Sequence, residues 1–213
     1  MTRTLQRLAL SALAAATLAA AVSACAPLMI GSAALGTIVA VDRRTSGAQL
    51  EDEGIDLRAG ARIRDAMGER SNVNVTSYNR QVLLTGEVAN EADKQLAEQI
   101  VSKVENVRSI VNELAIMGTP SLTQQASDRL ITGKVKAALV DDSELYAGAF
   151  RVVTERGTVY MMGRVTQREA DRATQLARNV GGVQRVVRVF ETITEDELRQ
   201  LAPKQARPAS ATR

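Results

Sequence analysis

The chain has 213 residues, with 27 basic and 24 acidic side chains, one cysteine, no histidine and 2% aromatic residues. Without histidine it has no Ser-His-Asp triad, no thiol-imidazole pair and no mixed Cys/His zinc site, so we predict a protein that is not an enzyme and binds no metal. Balanced charge and few aromatic side chains also argue against a nucleic-acid partner.

The first predicted element is a lipoprotein signal peptide over residues 1–24. Arg3 and Arg7 form a positive start, residues 8–21 are apolar, and Val22-Ser23-Ala24 precedes Cys25. This order is typical of a secretory signal, and a cysteine at the cleavage point indicates a bacterial lipoprotein. We expect Cys25 to carry a diacylglycerol and an N-acyl lipid, which together anchor a protein stably. A free structural thiol behind an ordinary signal is the alternative.

Residues 25–54 are predicted to form the lipidated N-terminus and a linker. Residue 26 is alanine and not aspartate, which by bacterial sorting rules favours the periplasmic face of the outer membrane. The stretch 26–41 is apolar, but one proline and two glycines weaken a stable helix. We expect a tether beside the membrane, and an uncleaved membrane span is the alternative. Residues 42–54 are polar and predict a linker lying along the folded part.

The rest of the chain is an internal repeat. A helix over 55–67, a hairpin of 73–77 and 82–86, a helix over 91–105 and a strand over 107–116 follow from apolar periodicity. The hairpin recurs at a constant offset of 77, so that Val73, Val75, Val82, Leu84, Gly86 and Val88 match Phe150, Val152, Val159, Met161, Gly163 and Val165. The later helix and strand recur at an offset of 76. Such self-similarity predicts two copies of one supersecondary unit.

The predicted fold is α+β, with module 1 at residues 55–118 and module 2 at 126–194. Module 2 contains a helix over 126–140, an insertion over 141–148, the second hairpin, a helix over 168–180 and a strand over 183–193. Each αββαβ module is expected to be a three-stranded mixed sheet covered by two helices. Modules this small are marginally stable alone, so we expect the two to pack against each other. Residues 195–213 are predicted to be a disordered tail.

These residues carry a resemblance to a known family. The αββαβ repeat with a glycine in the second hairpin strand is similar to a BON domain, and the whole arrangement resembles the dual-BON outer-membrane lipoproteins. The runs VTSYNRQVLLTGEV and VTERGTVYMMGRVTQREAD are the specific part of the likeness. The resemblance implies support of outer-membrane integrity, a place at the division site, and binding of anionic phospholipid through the first helix of module 2.

That helix has two apolar stripes when successive residues are placed about 100° apart. Ile131, Val135, Ala138 and Leu139 form a stripe expected to face the sheet. The second stripe lies nearly opposite and is flanked by two lysines; the candidate phospholipid-binding residues are Leu130, Gly133, Lys134, Lys136, Ala137 and Val140. An apolar strip bordered by ammonium groups suits an anionic membrane surface. Module 2 also has more basic than acidic residues, 11 against 8 over 126–193.

Three alternatives stay open at this point. Leu130 and Val140 could instead pack against module 1. The family's best-known member has an aromatic residue where this chain has Leu130, so the lipid contact could also lie at Val140 or at the loop of Leu145 and Tyr146. The second stripe could also dock on an envelope protein, which would make the chain a protein-interaction adaptor or a chaperone-like envelope-stress factor. The acidic run 141–144 lacks the spaced ligands of a calcium loop, so we expect a solvated turn.

Overall fold

The computed structural model describes residues 42–68, 71–118 and 120–201. The predicted signal peptide, Cys25, the stretch 26–41 and residues 202–213 lie outside this part. The elements in chain order are α1 (Ser46–Met67), β1 (Asn72–Tyr78), β2 (Gln81–Val88), α2 (Glu91–Ser102), β3 (Ser109–Asn112), β4 (Ala115–Ile116), α3 (Leu122–Asp141), a 3-10 turn (Ala147–Ala149), β5 (Phe150–Glu155), β6 (Thr158–Val165), α4 (Gln167–Arg178), β7 (Arg185–Thr192) and α5 (Glu195–Leu201).

Each module is a mixed sheet with two helices on one face, as the sequence predicts. In module 1, β1 and β2 form an antiparallel hairpin, and β3 and β4 continue one another as a parallel strand beside β2. In module 2, β5 and β6 form the hairpin and β7 runs parallel to β6. Side chains alternate across each sheet, and one face of each supplies an apolar core shared with its helices.

A buried carboxylate ties the first helix of each module to the hairpin turn. Asp52 of α1 accepts hydrogen bonds from the backbone N–H groups of Asn79 and Arg80, each at 2.7 Å. Asp128 of α3 accepts them from Arg156 and Gly157, each at 2.8 Å. All four turn residues have positive φ, the conformation of the tight hairpin turn that matches strand twist. The carboxylates therefore satisfy turn amides that face a helix and not water.

The remaining faces of the two sheets meet each other. Their side chains form one buried cluster with members from both modules, which are Tyr78, Leu83, Tyr160, Met162 and Val189. Polar contacts surround it: Arg156 donates to Glu87 at 2.8 Å, and the Tyr78 hydroxyl donates to the backbone oxygen of Ala149 at 3.3 Å. The two sheets thus lie back to back, and the helices cover the two outer faces.

Two helices begin earlier than the sequence predicts. The stretch predicted as a linker over 42–54 is helical from Ser46, because Thr45 caps the helix and Asp52 is bonded to the turn. Helix α3 begins at Leu122 and not at 126, because the Ser121 hydroxyl accepts a hydrogen bond from Gln124 N–H at 3.2 Å. Capping and tertiary hydrogen bonds outweigh the weak helical propensity of these polar segments.

Two further predictions need correction. The strand predicted over 107–116 is interrupted, because the Asn112 side chain accepts from Leu114 N–H at 3.3 Å and turns Leu114 into the core. The tail predicted to be disordered from 195 begins with α5. There the Thr194 hydroxyl accepts from Glu197 N–H at 3.1 Å, and the Glu197 carboxylate accepts from Thr194 N–H at 2.7 Å. This reciprocal pair is a capping box.

Substitution of Asp128 by asparagine tests the turn contact. One of the two turn amides would then face the NH₂ group of the asparagine, so we expect the free energy of unfolding to fall by about 1–3 kcal/mol. Urea unfolding measures the change. Asp65→Asn is the matched control, because Asp65 is exposed on α1, and a surface change of this kind stays within about 0.5 kcal/mol. Equal effects of the two substitutions would contradict the assignment.

A second prediction concerns Asp56 of α1, which lies at the boundary of the modules. Burial raises its pKa from 3.8 to about 6, against the opposing effects of Arg151, 3.4 Å away, and of a hydrogen bond from Ser77 N–H. Between these two pKa values the folded state holds a proton that the unfolded state has released. The free energy of unfolding contributed by this group is therefore lost as the pH rises through that window.

We expect the stability of the unsubstituted protein relative to Asp56→Asn to decrease from pH 4 to pH 6 and to level off above it. Asparagine keeps an acceptor for Ser77 N–H and removes the titration, so the difference isolates one group. Denaturant unfolding at several pH values measures it. A difference that is constant with pH, or that increases, would show that the Asp56 pKa is not raised.

Candidate functional site

Helix α3 is held by one face only. Asp128, Ile131, Val135 and Leu139 are buried and lie on a single stripe of the helix. The aliphatic members belong to the core formed with β5, β6 and α4. On the same stripe Asp128 is bonded to the β5–β6 turn. The sheet therefore receives the stripe predicted to face it, and the rotation of α3 about its axis is fixed.

The opposite face of α3 is exposed. Leu130 has 60% of its surface exposed and Val140 has 59%. The other four residues predicted to bind phospholipid are exposed as well, namely Gly133, Lys134, Lys136 and Ala137. The alternative in which Leu130 and Val140 pack against module 1 is wrong, since the modules meet through their sheets.

The exposed stripe is longer than the sequence predicts. Leu122, in the first turn of α3, is 82% exposed and lies on the same side as Leu130 and Val140. Arg129 is exposed and borders the stripe beside Lys136. Neither residue belongs to the predicted site, because the predicted helix begins at 126 and its predicted basic border contains only the two lysines. The Ser121 cap, with glutamine three residues later, was the signal that could have extended the helix to Leu122. We call the set of Leu122, Ala126, Leu130, Gly133, Ala137 and Val140 the outer stripe of α3.

The basic side chains along the outer stripe are available to a ligand. No carboxylate in the described part of the chain forms an ion pair with Arg129, Lys134 or Lys136. The acidic run after the helix is engaged elsewhere: Asp142 pairs with Arg172 at 2.8 Å and Glu144 with Arg168 at 3.3 Å. Two of the three acidic side chains at the end of α3 are thus partly neutralised by α4, and the third, Asp141, is exposed.

Helix α1 provides a comparison within the same molecule. It also exposes two leucines away from its core, Leu50 and Leu57, at 71% and 73%. Their border is mixed, with exposed Glu53 on one side and the Glu51–Arg58 ion pair, at 2.7 Å, on the other. Of the two corresponding helices, α3 has the more basic border, since its three exposed cations, Arg129, Lys134 and Lys136, stand against one exposed carboxylate, Asp141.

A buried ion pair fixes the point where the described chain begins. Arg43 donates to both oxygens of Glu169, at 2.8 and 2.6 Å, and to the backbone oxygen of Arg164 at 2.8 Å. Glu169 also completes a capping box with Thr166 at the start of α4. Burial of Glu169 disfavours its charged form, but the hydrogen bonds from Arg43 and Thr166 outweigh burial and hold its pKa below the ordinary value.

No helix among the described residues is long and apolar enough to cross a membrane. Cys25, the predicted lipidation site, lies outside those residues, so its modification stays a prediction.

Comparison with known proteins gives a consistent family. The model of the BON domain matches residues 56–118 and 127–194. The chain is 34% identical over 169 residues to outer membrane lipoprotein DolP of Haemophilus influenzae, covering 78% of this chain and 88% of that protein. It is 33% identical over 155 residues to a 21 kDa hemolysin of Actinobacillus pleuropneumoniae, with 72% and 80% covered.

Two further proteins are similar at lower identity. The chain is 28% identical over 147 residues to osmotically-inducible protein Y of Escherichia coli, covering 67% of this chain and 73% of that protein. A solved structure of CdsD, a structural protein of the type III secretion system of Chlamydia trachomatis, is similar at 14% identity with a TM-score of 0.29. The similarity covers 68% of this chain and 97% of the CdsD chain. That likeness is too low to support an argument.

Proposed function

Since this chain belongs to the BON-domain family and is a DolP-like protein with two such domains, we propose that it is an outer-membrane lipoprotein that binds anionic phospholipid through α3. The observation that carries the proposal is the outer stripe of α3, apolar, exposed and bordered by cations. The similarity to outer membrane lipoprotein DolP of Haemophilus influenzae supports the location.

The geometry of α3 suits a membrane surface. Its 20 residues span about 30 Å, and the outer stripe runs from the first turn to the last. A helix lying in the interface inserts its apolar residues between headgroups while long basic side chains remain among the phosphates. Each well-placed basic side chain contributes about 1 kcal/mol near an anionic leaflet.

Composition of the stripe favours lipid over a protein partner. Energetically dominant residues of protein interfaces are enriched in Trp, Tyr and Arg set in well-packed pockets. The outer stripe instead presents isolated aliphatic side chains separated by Gly133 and Ala137. Such a surface is smooth, and it can contact a fluid lipid layer without a partner surface of complementary shape.

Attachment of the chain to the membrane makes a weak contact sufficient. If Cys25 carries acyl chains, the outer stripe searches only a small volume next to the bilayer, and its effective concentration is high. The proposed activity is therefore binding and organisation of the envelope, without a bond made or broken. Support of outer-membrane integrity, at the division site among other places, is the biological role that we propose for it.

Co-sedimentation with vesicles tests the proposal. The protein comprising residues 26–213 should bind vesicles that contain phosphatidylglycerol and should not bind vesicles of phosphatidylcholine alone. Lys136→Glu should weaken binding by about fivefold or more, since one cation is worth about 1 kcal/mol there and its charge is reversed. Leu130→Glu should weaken it by at least about tenfold, since burial of a leucine contributes about 1.5–3 kcal/mol. Salt should weaken it as well.

Leu57→Glu is the matched control, because Leu57 is at least as exposed as Leu130, at 73% against 60%, and lies on the corresponding helix of module 1. It should leave vesicle binding unchanged. Binding that is insensitive to lipid charge and salt, or lost equally in Leu57→Glu, would contradict the proposal. Absence of binding at every lipid charge density would assign the outer stripe to a protein partner.

A further inference from the structure

Two consecutive arginines fix the start of the described chain to both modules. Arg43 reaches module 2 through its contacts with Glu169 and the Arg164 backbone oxygen. Arg44 pairs with Asp52 of α1 at 2.7 Å, and its guanidinium carbon lies 4.3 Å from the centre of the Tyr78 ring. The start of the described chain, at Asp42–Arg44, is therefore held at the boundary between the two modules.

The Arg43 contact is strong enough to hold this place. Arg43 is only 7% exposed and Glu169 only 1%, and the pair is bidentate. Removal of one partner from a buried pair leaves a desolvated charge behind, so we expect the contact to be lost when either Arg43 or Glu169 loses its charge. The two residues are separated by 126 positions in the sequence, so the contact is tertiary.

The place lies beside one end of the lipid-binding helix. The Arg43 guanidinium carbon is 6.0 Å from the centre of the Tyr146 ring. Tyr146 follows the end of α3 by five positions and is 60% exposed. Leu145 next to it is buried in the core of module 2, which holds the loop against the helix. The entry of the chain, Tyr146 and the last turn of α3 therefore form one corner of the molecule.

We infer that the Arg43–Glu169 contact holds the start of the described chain next to the C-terminal end of α3, and that Tyr146 is a further membrane-contacting residue at that corner. This inference rests on the proposed function, since it extends the lipid surface of α3. Tyrosine is enriched at membrane interfaces, because its ring is apolar and its hydroxyl remains among the headgroups. It would supply the aromatic contact that the outer stripe of α3 lacks.

This position of the chain start favours one orientation of the folded part at the bilayer. A tether confines most strongly the part of the molecule to which it is joined, so the Tyr146 corner meets the bilayer at the highest effective concentration. Once this corner is bound, α3 can align parallel to the membrane, so that its basic side chains contact the headgroups from the C-terminal end of the helix to the N-terminal end.

Single-tryptophan reporters test this inference, because the chain has no tryptophan of its own. The full chain is expressed with its own N-terminus, purified from membranes and reconstituted in phosphatidylglycerol-containing vesicles with bromine on the acyl chains. Bromine quenches an indole only when the indole enters the bilayer. We expect loss of emission for Tyr146→Trp and for Leu130→Trp, and no loss for Leu57→Trp.

The reporters separate the inference from the proposed function. Loss of emission for Leu130→Trp without loss for Tyr146→Trp would overturn the role of Tyr146 and leave lipid binding by α3 intact. No loss at either position would overturn both. Loss for Leu57→Trp as large as for Tyr146→Trp would show that the tether imposes no orientation, which also overturns the inference.

The positioning role of the ion pair is tested in the Tyr146→Trp background. Glu169→Gln keeps a side chain that can serve the capping box but removes the charge that holds Arg43. We expect quenching at position 146 to decrease, and quenching in the Leu130→Trp background to decrease less. Circular dichroism and thermal unfolding confirm that the variant is folded. Unchanged quenching at position 146 in a folded Glu169→Gln variant would overturn the positioning role.

Discussion

The bond between Asp128 and the β5–β6 turn decides which side of α3 faces outwards. The helix has two apolar stripes, and burial of aliphatic area alone could be satisfied by turning either stripe towards the sheet. A carboxylate is different, because its two hydrogen bonds to Arg156 N–H and Gly157 N–H are directional and are made at one rotation of the helix. The stripe that carries Asp128 is buried, and the outer stripe is left without a partner in the described chain.

The arrangement of the sheets also prevents the other module from covering the outer stripe. In a small α+β module, both faces of the sheet are apolar, but the two helices cover only one of them. Here the second faces are buried against each other around Tyr78 and Met162. Both helical layers are consequently outermost, and an apolar residue on the far side of α3 has only solvent or an external partner to contact. The fold thus creates the surface that we assign to lipid.

The repeat made most of this architecture predictable. Alternation in the hairpins and a helical period in the flanking segments gave the αββαβ order, and the offset between copies matched the modules. The two stripes of α3 were also separable from the sequence, because Ile131, Val135 and Leu139 recur at helical spacing. An offset of 76 would further have paired Asp52 with Asp128, and thereby shown that α1 extends into the segment predicted as a linker.

Other features had weaker signals or none. The capping box at Thr194 and Glu197 was present in the sequence, but it stood in a polar segment without apolar periodicity. The interruption between β3 and β4 depends on one side chain, Asn112, bonding to its own backbone. The Arg43–Glu169 contact had no local signal at all, since it joins a polar segment before α1 to a helix cap in the other module. Contacts of this kind are specified by the tertiary fold.

The most direct test of the central claim is a residue-resolved one. Amide resonances of the protein comprising residues 26–213 would be followed during titration with bicelles that contain phosphatidylglycerol. If the outer stripe of α3 binds lipid, broadening should be centred on Leu122, Leu130 and Val140. The resonances around Leu50 and Leu57 of α1 should be unaffected. Broadening centred on α1 or on the seam between the sheets, with α3 unaffected, would contradict it.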